Sequence, residues 1–398
     1  MSVCPVEYTF LRQARLPTEL PIRQGSQEMT KVVAWQASLD RSQVLDQAVQ
    51  ALASGQLVAF PTETVYGVAA SAQSEEGVER LRTGKGRPEG KPLTLALASV
   101  AEALAWLPQM SRLGRRLARR CWPGPCTLVF GEGIEEALAG LPEGVRRHVC
   151  PQGTLGLRVP AHEAILQAME QLASPLVLTS ANRSGEPAAT TAAAVVEALG
   201  DELALVIDDG ACRFGQASTV VRVDGASWSV LREGVLSAAD VERLTARVIL
   251  FICTGNTCRS PLAEALCKKM LAEHLGCAPE ELPRRGFIVL SAGLSAMMGG
   301  SAAAEAVEIA REHGADLSHH QTRPLTARLV AQADHVITMT QSHLAGVQSF
   351  FPEGPAPRLL SCAGADIPDP IGCDQQTYRA CAEQIVRHLQ QLLPELLQ

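Results

Sequence analysis

The residues with the clearest chemical potential are a cysteine and an arginine in the stretch "CTGNTCRS", residues 253–260. The apolar run "RVILFI" precedes it and "PLAEALCKKML" follows, which predicts a strand, a short polar loop and a helix. Loop amides and the N-terminus of such a helix point at a common centre and favour an anion. Cys253 lies at the base of the loop and Arg259 at its end. A thiol so placed ionises readily and an arginine can bind two phosphate oxygens, so the pattern predicts a cysteine nucleophile in a phosphate site.

The rest of the loop has the residue types that a phosphate-binding turn needs. Gly255 allows close approach of the backbone, and Asn256 tolerates unusual dihedral angles. Pro261 suits the first turn of the helix. The remaining predicted members of the phosphate loop are Thr254, Thr257, Cys258 and Ser260.

From residue 248 to about residue 397 the sequence resembles the low-molecular-weight protein tyrosine phosphatases. The resemblance rests on "CTGNTCRSPLAEAL", "SAGLSAMMGG", "ADHVITMT" and "DIPDPIG". It implies that Cys253 is the nucleophile, that Ser260 supports its thiolate, and that Asp369 first protonates the leaving group and later activates water. Asp366 is the second choice for the acid because no proline follows it. The resemblance implies no cofactor or metal for this half.

Two departures from the tyrosine-directed members favour a different phosphoprotein substrate. Those members place one aromatic residue after the Asp-Pro pair and another near the "SAG" loop, where this chain has Ile371, Met297 and Met298. Thr257 stands where they have a bulkier aliphatic residue, and it resembles the bacterial protein-arginine phosphatase branch. Loss of ring-stacking surface suits a non-aromatic substrate. We therefore expect phosphoarginine to be preferred over phosphotyrosine.

The arsenate reductases are a related alternative with a different use of cysteine. They need extra cysteines in the segment that aligns with "ADHVITMTQSHL", which contains none. Cys362, Cys373 and Cys381 come later and are interpreted as bystanders. Cys258 lies close to the nucleophile and could form a reversible protective disulfide under oxidation.

In the first half, separated polar clusters follow several predicted strands. They are "FPTETVYG", "GKGRPEGKPLTL", "WPGPCTL", "GLRVP", "LTSANRSGEP", "ASTVV" and "LREG". Each cluster alone mostly marks a turn, and no GxxxxGK[ST] loop occurs in residues 31–236. Together they resemble the threonylcarbamoyl-AMP synthase (YrdC-like) family, from about Ser38 to Leu236.

This second resemblance implies an activity and a set of binding residues. L-threonine, bicarbonate and ATP would be joined into threonylcarbamoyl-adenylate, which a tRNA-modification transferase would use to make N6-threonylcarbamoyladenosine. Mg²⁺ would accompany ATP, and catalysis would depend on positioning and on cations that stabilise charge at the α-phosphate. The implied ATP-binding residues are Lys85, Arg87, Thr127, Ser180, Asn182, Ser218 and Arg232. The implied threonine-binding residues are Thr62, Thr64, Tyr66, Lys91 and Arg158.

Alternating apolar runs and helical stretches must position these residues. They predict an α/β protein with two domains, an N-terminal YrdC-like twisted mixed sheet with helices and a C-terminal doubly wound parallel sheet of the low-molecular-weight phosphatase type. The predicted units are a loosely ordered extension (1–30), a synthase-like domain (31–236), a linker (237–246) and a phosphatase-like domain (247–398). Longer relatives of the synthase have a linker that covers the active site. Here a phosphatase-like domain follows instead, and we expect that this second domain does not act as a lid.

Composition narrows the classes of partner. The 398 residues have a formal net charge of -7, which argues against a protein that mainly coats nucleic acid. No apolar run has the length of a signal peptide or membrane span, and the twelve cysteines are scattered singly, so we expect a cytoplasmic protein with reduced thiols and no membrane partner.

Two further groups of charged or titratable residues can be interpreted from the sequence. The arginines at 112, 115, 116, 119 and 120 share a helical face, which is interpreted as solvated, with weak tRNA contact as the alternative. His319 and His320 are interpreted as surface residues. The competing function for the whole chain is a non-catalytic RNA- or nucleotide-binding YrdC-like module fused to a regulatory tyrosine phosphatase, and steep salt dependence of RNA binding would favour it.

Overall fold

The computed structural model describes residues 30–36, 40–352 and 354–397. The predicted extension, residues 1–30, therefore lies outside the described residues except for its last member. Within them the chain forms two β-sheets, each with helices on both faces. Every helix in these ranges is too short or too polar to cross a lipid bilayer.

The first sheet has ten strands and is mixed. In chain order they are β1 Lys31–Ala34, β2 Val58–Phe60, β3 Gly67–Ser71, β4 Thr94–Ala96, β5 Cys126–Phe130, β6 Leu155–Arg158, β7 Leu176–Ser180, β8 Leu205–Asp208, β9 Thr219–Asp224 and β10 Ser227–Arg232. Their order in the sheet is β1-β8-β2-β3-β7-β4-β6-β5-β9-β10. The pairs β1/β8, β2/β8, β4/β6 and β5/β9 are parallel, and the other five are antiparallel.

Helices cover both faces of this sheet because its strands are apolar on both sides. The helices are α1 Arg41–Ala53, α2 Glu75–Gly84, α3 Val100–Trp106, α4 Arg112–Cys121, α5 Glu135–Ala139, α6 Glu143–Val149, α7 Glu163–Leu172, α8 Ala192–Leu199 and α9 Ala238–Thr245. Strand β2 shows the alternation: Val58 and Phe60 pack in the core under α1 and α7, whereas Ala59 packs in the core on the opposite face. The predicted twisted mixed sheet with helices is confirmed.

The second sheet is wholly parallel. Its strands are β11 Arg247–Cys253, β12 Phe287–Gly293, β13 His335–Thr338 and β14 Arg358–Leu359, in the order β12-β11-β13-β14. The helices are α10 Arg259–Leu275, α11 Ala304–Glu312, α12 Ala327–Gln332, α13 Gln341–Phe350 and α14 Gln375–Leu396. Phe251 of β11 packs in the core formed with α10, α11 and α14, while Leu250 packs in the core formed with α12 and α13. The sheet is doubly wound, as predicted.

Helix α4 corrects the interpretation of its arginine stripe. Arg116 and Arg120 do not form a solvated face, because both guanidinium groups pair with Asp334, just before β13 of the second half. Their side chains are 11% and 4% exposed, and that of Asp334 is 15% exposed. These two arginines are therefore not available for tRNA. Arg112, at the start of the helix, is exposed.

Candidate active sites

A cavity of about 740 Å³ opens among the ends of β4, β5, β7 and β10 in the first half. It collects residues that are far apart in sequence, because the strand order interleaves early and late segments. The predicted binding residues that line it are Thr62, Tyr66, Lys85, Arg87, Lys91, Thr127, Arg158, Ser180, Asn182, Ser218 and Arg232. The structure thus brings together eleven of the twelve predicted residues of this half.

Lys85 is the most deeply buried cation of the cavity wall, with 4% of its surface exposed. Its ammonium group donates to the main-chain oxygen of Ser180 and lies 3.3 Å from Thr179 Oγ1. Among the described residues no carboxylate pairs with it, so burial, together with Arg87 and Lys91, lowers the pKa of Lys85 to about 7. A bound anion would favour the protonated form of Lys85 and so increase the positive charge of the cavity wall.

Two side chains hold the guanidinium group of Arg158 in a fixed orientation. Its Nη2 donates to Glu63 Oε1 and to Thr64 Oγ1, both at 2.7 Å, and Glu63 also accepts from the amide of Ala161. The Nε of Arg158 is buried and has no hydrogen-bond partner among the described residues. An unpaired buried donor on a pre-oriented guanidinium is suited to a carboxylate.

Two residues predicted to bind threonine have hydroxyl groups that are engaged within the protein. Thr64 does not line the cavity, because its hydroxyl is buried between Thr62 Oγ1, at 2.8 Å, and Arg158. Tyr66 lines the cavity with its ring, but its hydroxyl donates to Gly210 O at 2.8 Å. Burial raises the pKa of that hydroxyl. Both therefore shape the site and offer no hydroxyl to a ligand.

The polar wall at β5 and β9 is internally linked. Thr127 Oγ1 and Ser218 Oγ lie 3.1 Å apart, and Arg232 Nη2 donates to Ser218 O at 2.7 Å. Asn182 also has its amide engaged: Oδ1 accepts from Ser180 Oγ at 2.5 Å, and Nδ2 donates to main-chain oxygens, including Glu186 O at 2.7 Å. The side chain of Asn182 therefore mainly holds Ser180 in position. The sequence alone did not indicate this role.

The second site is the loop between β11 and α10. Cys253 is 3% exposed, and its Sγ lies 2.9 Å from Ser260 Oγ and 3.3 Å from the donating amide of Asn256. Asn256 has a φ of 57° and is fully buried, and its side chain donates to Ser260 Oγ and Ser291 Oγ. A Cβ at Gly293 would come within 2.5 Å of Thr254 O, so β12 presses directly on the loop. The chain thus forms a tight loop between strand and helix, and Asn256 adopts a left-handed conformation in it.

Arg259 and the predicted acid meet in this structure. Arg259 Nη2 donates to Asp369 Oδ2 at 2.5 Å, and Nη1 donates to Ile367 O at 3.2 Å. The alternative acid, Asp366, accepts from the amide of Gln341 at the start of α13. Asp369 is therefore the carboxylate placed at the loop, and Asp366 caps a helix.

Two histidines take part in the site, and neither was identified from the sequence. His320 was interpreted as a surface residue, but its Nε2 lies 2.9 Å from Asn256 O. His343 lies between two hydroxyls, with Nε2 2.9 Å from Thr254 Oγ1 and Nδ1 2.9 Å from Thr340 Oγ1. Burial, with a contribution from Arg259, lowers the pKa of His343 to about 4, so the ring is neutral where the loop contacts it. Only the tertiary fold gives these contacts.

The other thiols near the loop are not placed as nucleophiles. Burial raises the pKa of Cys381 to about 12. Cys258 is buried, and its Sγ lies 3.2 Å from Tyr378 Oη. Among the described residues every cysteine is a free thiol, and no group of three or more His, Cys, Asp or Glu residues could hold a metal ion.

The rim of the second site is aliphatic. Met297 and Met298 are 84% and 81% exposed, and Ile371, which follows the Asp-Pro pair, is 63% exposed. The loop that carries the methionines is attached to the phosphate loop, since the amide of Ala303 donates to Thr257 O at 3.0 Å. The flexible thioethers and the isoleucine supply apolar contact without an aromatic face.

Comparison with known proteins gives each half a family. Residues 50–234 match the Sua5/YciO/YrdC family model, described as telomere recombination, and residues 248–398 match the low-molecular-weight phosphotyrosine protein phosphatase model. A threonylcarbamoyl-AMP synthase of Klebsiella pneumoniae is 33% identical over 48% of this chain and 97% of its own length. The chain belongs to the threonylcarbamoyl-AMP synthase family. Its residues 248–398 belong to the low-molecular-weight phosphatase family.

Other relatives define how far the likeness extends. The threonylcarbamoyl-AMP synthase of Pyrococcus abyssi is 36% identical over 49% of this chain and 55% of its own length, so the chain spans about half the length of that synthase. The structure of the YwlE arginine phosphatase from Geobacillus stearothermophilus is 31% identical, covers 38% of this chain and 93% of its own, and has a TM-score of 0.34. The synthase-like cavity and the phosphatase-like loop each lie inside the segment that matches their family.

Proposed function

We propose that this chain is a bifunctional enzyme whose first half forms L-threonylcarbamoyl-adenylate from L-threonine, bicarbonate and ATP. The observation that carries this proposal is the cavity itself. It gathers five cationic side chains and only one carboxylate, Glu186, on its wall. A strongly cationic cavity in a chain of net charge -7 suits a polyphosphate ligand.

The geometry offers groups that suit the threonine carboxylate and the triphosphate. The threonine carboxylate would bind the unpaired Nε of Arg158, whose orientation Glu63 fixes. The triphosphate would lie along Lys85, Arg87 and Arg232, with Thr127 and Ser218 as neutral donors. The threonine amine and bicarbonate would first condense to a carbamate with loss of water, and a carbamate oxygen would then attack the α-phosphorus. The bond from that phosphorus to the bridging oxygen then breaks, and pyrophosphate leaves with its electron pair.

Mg²⁺ fits this site as a companion of ATP. The cavity wall has a single carboxylate, and within the described residues no three-member cluster of metal-binding side chains exists. A small cation that keeps most of its waters and binds phosphate oxygens is compatible with such a wall. When bound, it would neutralise part of the phosphate charge, while Lys85 and the arginines orient the phosphates.

For the second half we propose cysteine-dependent hydrolysis of a phosphoprotein, with phosphoarginine preferred over phosphotyrosine. The Cys253 thiolate, supported by Ser260 and the amide of Asn256, would attack phosphorus. Arg259 would exchange Asp369 for two phosphate oxygens, and the released Asp369, after taking a proton from solvent, would protonate the leaving nitrogen or oxygen. Water activated by Asp369 would then break the phosphorus–sulfur bond. Thr257 and the aliphatic rim support the choice of a non-aromatic substrate.

Two assays on the intact chain test these activities. Pyrophosphate release should need ATP, L-threonine and bicarbonate together, and Lys85→Met should abolish it. Release that does not depend on threonine would contradict the proposed reaction, and RNA binding with a steep salt dependence and no turnover would favour the non-catalytic alternative. A tRNA-modification transferase is the proposed recipient of the adenylate, so adding a transferase of that kind with tRNA should consume it.

Phosphate release from a phosphoarginine protein and a phosphotyrosine peptide should be measured side by side. Cys253→Ser should remove turnover on both substrates while preserving binding of a phosphate analogue, whereas the exposed Cys373→Ser is the matched control. Thr257→Ile should shift the ratio toward phosphotyrosine. An unchanged ratio would remove Thr257 as the selector without affecting Cys253.

A further inference from the structure

The two halves of the chain are joined by a buried cluster of charges. We call Arg116, Arg120 and Asp334 the arginine clasp. Arg116 Nε donates to Asp334 Oδ1 at 2.6 Å, and Arg120 Nη2 donates to Asp334 Oδ2 at 2.7 Å. The carboxylate thus holds one arginine on each oxygen, across 218 and 214 residues of sequence.

The charge of one carboxylate cannot balance that of two buried guanidinium groups. Main-chain carbonyls at helix ends supply further partial negative charge and accept the remaining hydrogen bonds. Arg116 Nη1 donates to Thr245 O at 2.9 Å, and Arg120 Nη1 donates to Leu244 O and Ala246 O. These are carbonyls at the C-terminal end of α9, which have no partner inside the helix and carry partial negative charge. Arg120 also donates twice to Gln332 O, at the end of α12.

The clasp is attached to the strand that carries the nucleophile. The amide of Val248, near the start of β11, donates to Asp334 Oδ2 at 2.9 Å, and the amide of Asp334 donates back to Val248 O at 2.8 Å. Strand β11 ends at Cys253. On the other side, α4 leads into β5, which carries Thr127 of the nucleotide cavity. The cluster therefore connects the elements that position both sites.

The segment before α9 is fixed to the first half as well. The amides of Gly234 and Leu236 donate to Thr219 Oγ1 at 3.1 and 2.9 Å, and Val235 N donates to Ala217 O. Ser237 caps α9, and Val241 is fully buried in the core of the first half. Helix α9 therefore packs on the body of the first half.

We propose that the arginine clasp docks the phosphatase half on the synthase half and holds helix α9, residues 238–245, in a fixed position between them. We call this helix the strut, and we expect the whole chain to unfold as one cooperative unit. The docking partner of α4 is the second half of the same chain. In this arrangement the segment 237–246 does not open and close over the nucleotide cavity. The proposal concerns the connection of the two halves, and it stands whichever substrates they take.

Removal of one member tests the clasp because it leaves buried charge unpaired. Asp334→Asn keeps the shape of the side chain and removes the charge that both arginines share. Arg116→Met removes one ion pair and keeps the other, and it serves if Asp334→Asn does not fold. Arg112→Met, at an exposed position on the same helix, is the matched control.

Limited trypsin digestion of the intact chain, with peptides identified by mass spectrometry, reports the opening of the strut. Arg243 in α9 is well exposed, but cleavage there requires α9 to unfold locally. The clasp predicts that Asp334→Asn and Arg116→Met raise the rate of cleavage at Arg243 about tenfold or more, while sites inside both halves stay protected. Rates in both variants equal to those of Arg112→Met and wild type would overturn the proposal, and so would an increase spread evenly over the chain.

Calorimetry and hydrogen exchange supply independent readouts. The wild-type chain should unfold in a single transition, and loss of the clasp should split it into two. Binding of a non-hydrolysable ATP analogue should leave exchange in α9 unchanged to within about twofold, because a strut does not follow the ligand. Strong protection of α9 by the analogue would show instead that it closes as a lid.

Discussion

Protonation of Lys85 should control how tightly the first site binds a triphosphate. Because burial lowers the pKa of Lys85 to about 7, the empty site carries this lysine half protonated at pH 7 and about 3% protonated at pH 8.5. If only the ammonium form binds the phosphates well, the dissociation constant of an ATP analogue should rise by up to about fifteenfold over that interval. The bound phosphates should restore the proton, so binding at pH 8.5 should take up close to one proton per nucleotide.

Isothermal titration calorimetry in buffers of different ionisation enthalpy measures both quantities at once. Lys85→Arg should flatten the pH dependence and remove the proton uptake, because a guanidinium remains charged throughout. Lys91→Arg, at the exposed edge of the same cavity, should leave both unchanged. Tight binding at pH 8.5 with no proton uptake by the wild-type protein would refute the argument, since the protonation state of Lys85 would then not change on binding.

Three further predictions concern the phosphatase half. Asp369→Asn should lower kcat by about 10²–10⁴-fold but tighten inhibition by inorganic phosphate, because Arg259 loses its internal partner; weaker inhibition would contradict the exchange. His343 stays neutral by burial, so the stability this gives is present above its ordinary pKa of 6.5 and is lost toward pH 4, by at most about 3 kcal/mol. Urea unfolding at pH 7.5 and 5 should show that loss in wild type and less of it in His343→Leu. Asn256→Ala removes three hydrogen bonds, two of them buried, at a positive φ and should cost about 3 kcal/mol or more in the same assay, whereas Asn256→Gly should cost less.

The sequence was sufficient where chemistry and local structure lie in one short segment. The strand, loop and helix around Cys253 follow from an apolar run, small polar residues and a helical pattern, and the structure has all three. Strands such as β3, "GVAAS", carry little β-branched surface and were not predicted. The edge pairing of β1 with β8 joins segments about 170 residues apart, so no local pattern indicates it.

Amphipathic patterns show that a helix face is polar but not what covers it. The arginines of α4 form the polar face that predicts contact with water. Two of its five arginines instead pair with the second half of the chain, through a single aspartate whose sequence context, "AQADHV", gives no sign of this role. His343 is a second example of a contact that no local pattern indicates, since its partner Thr254 lies 89 residues away.

The two sites store positive charge in different ways when no substrate is bound, and the difference follows from the two side chains. A lysine can release its proton, so Lys85 tolerates burial without a carboxylate partner, at the expense of charge above neutral pH. An arginine remains charged, so Arg259 needs a counter-ion, and Asp369 supplies it. Anion binding at the first site should therefore depend on pH, whereas at the second site the anion should compete with Asp369 for Arg259. In the proposed phosphatase reaction that acid must be free and protonated to serve the leaving group, so phosphate binding at Arg259 and release of Asp369 would be one event, which would restrict proton delivery to the loaded site.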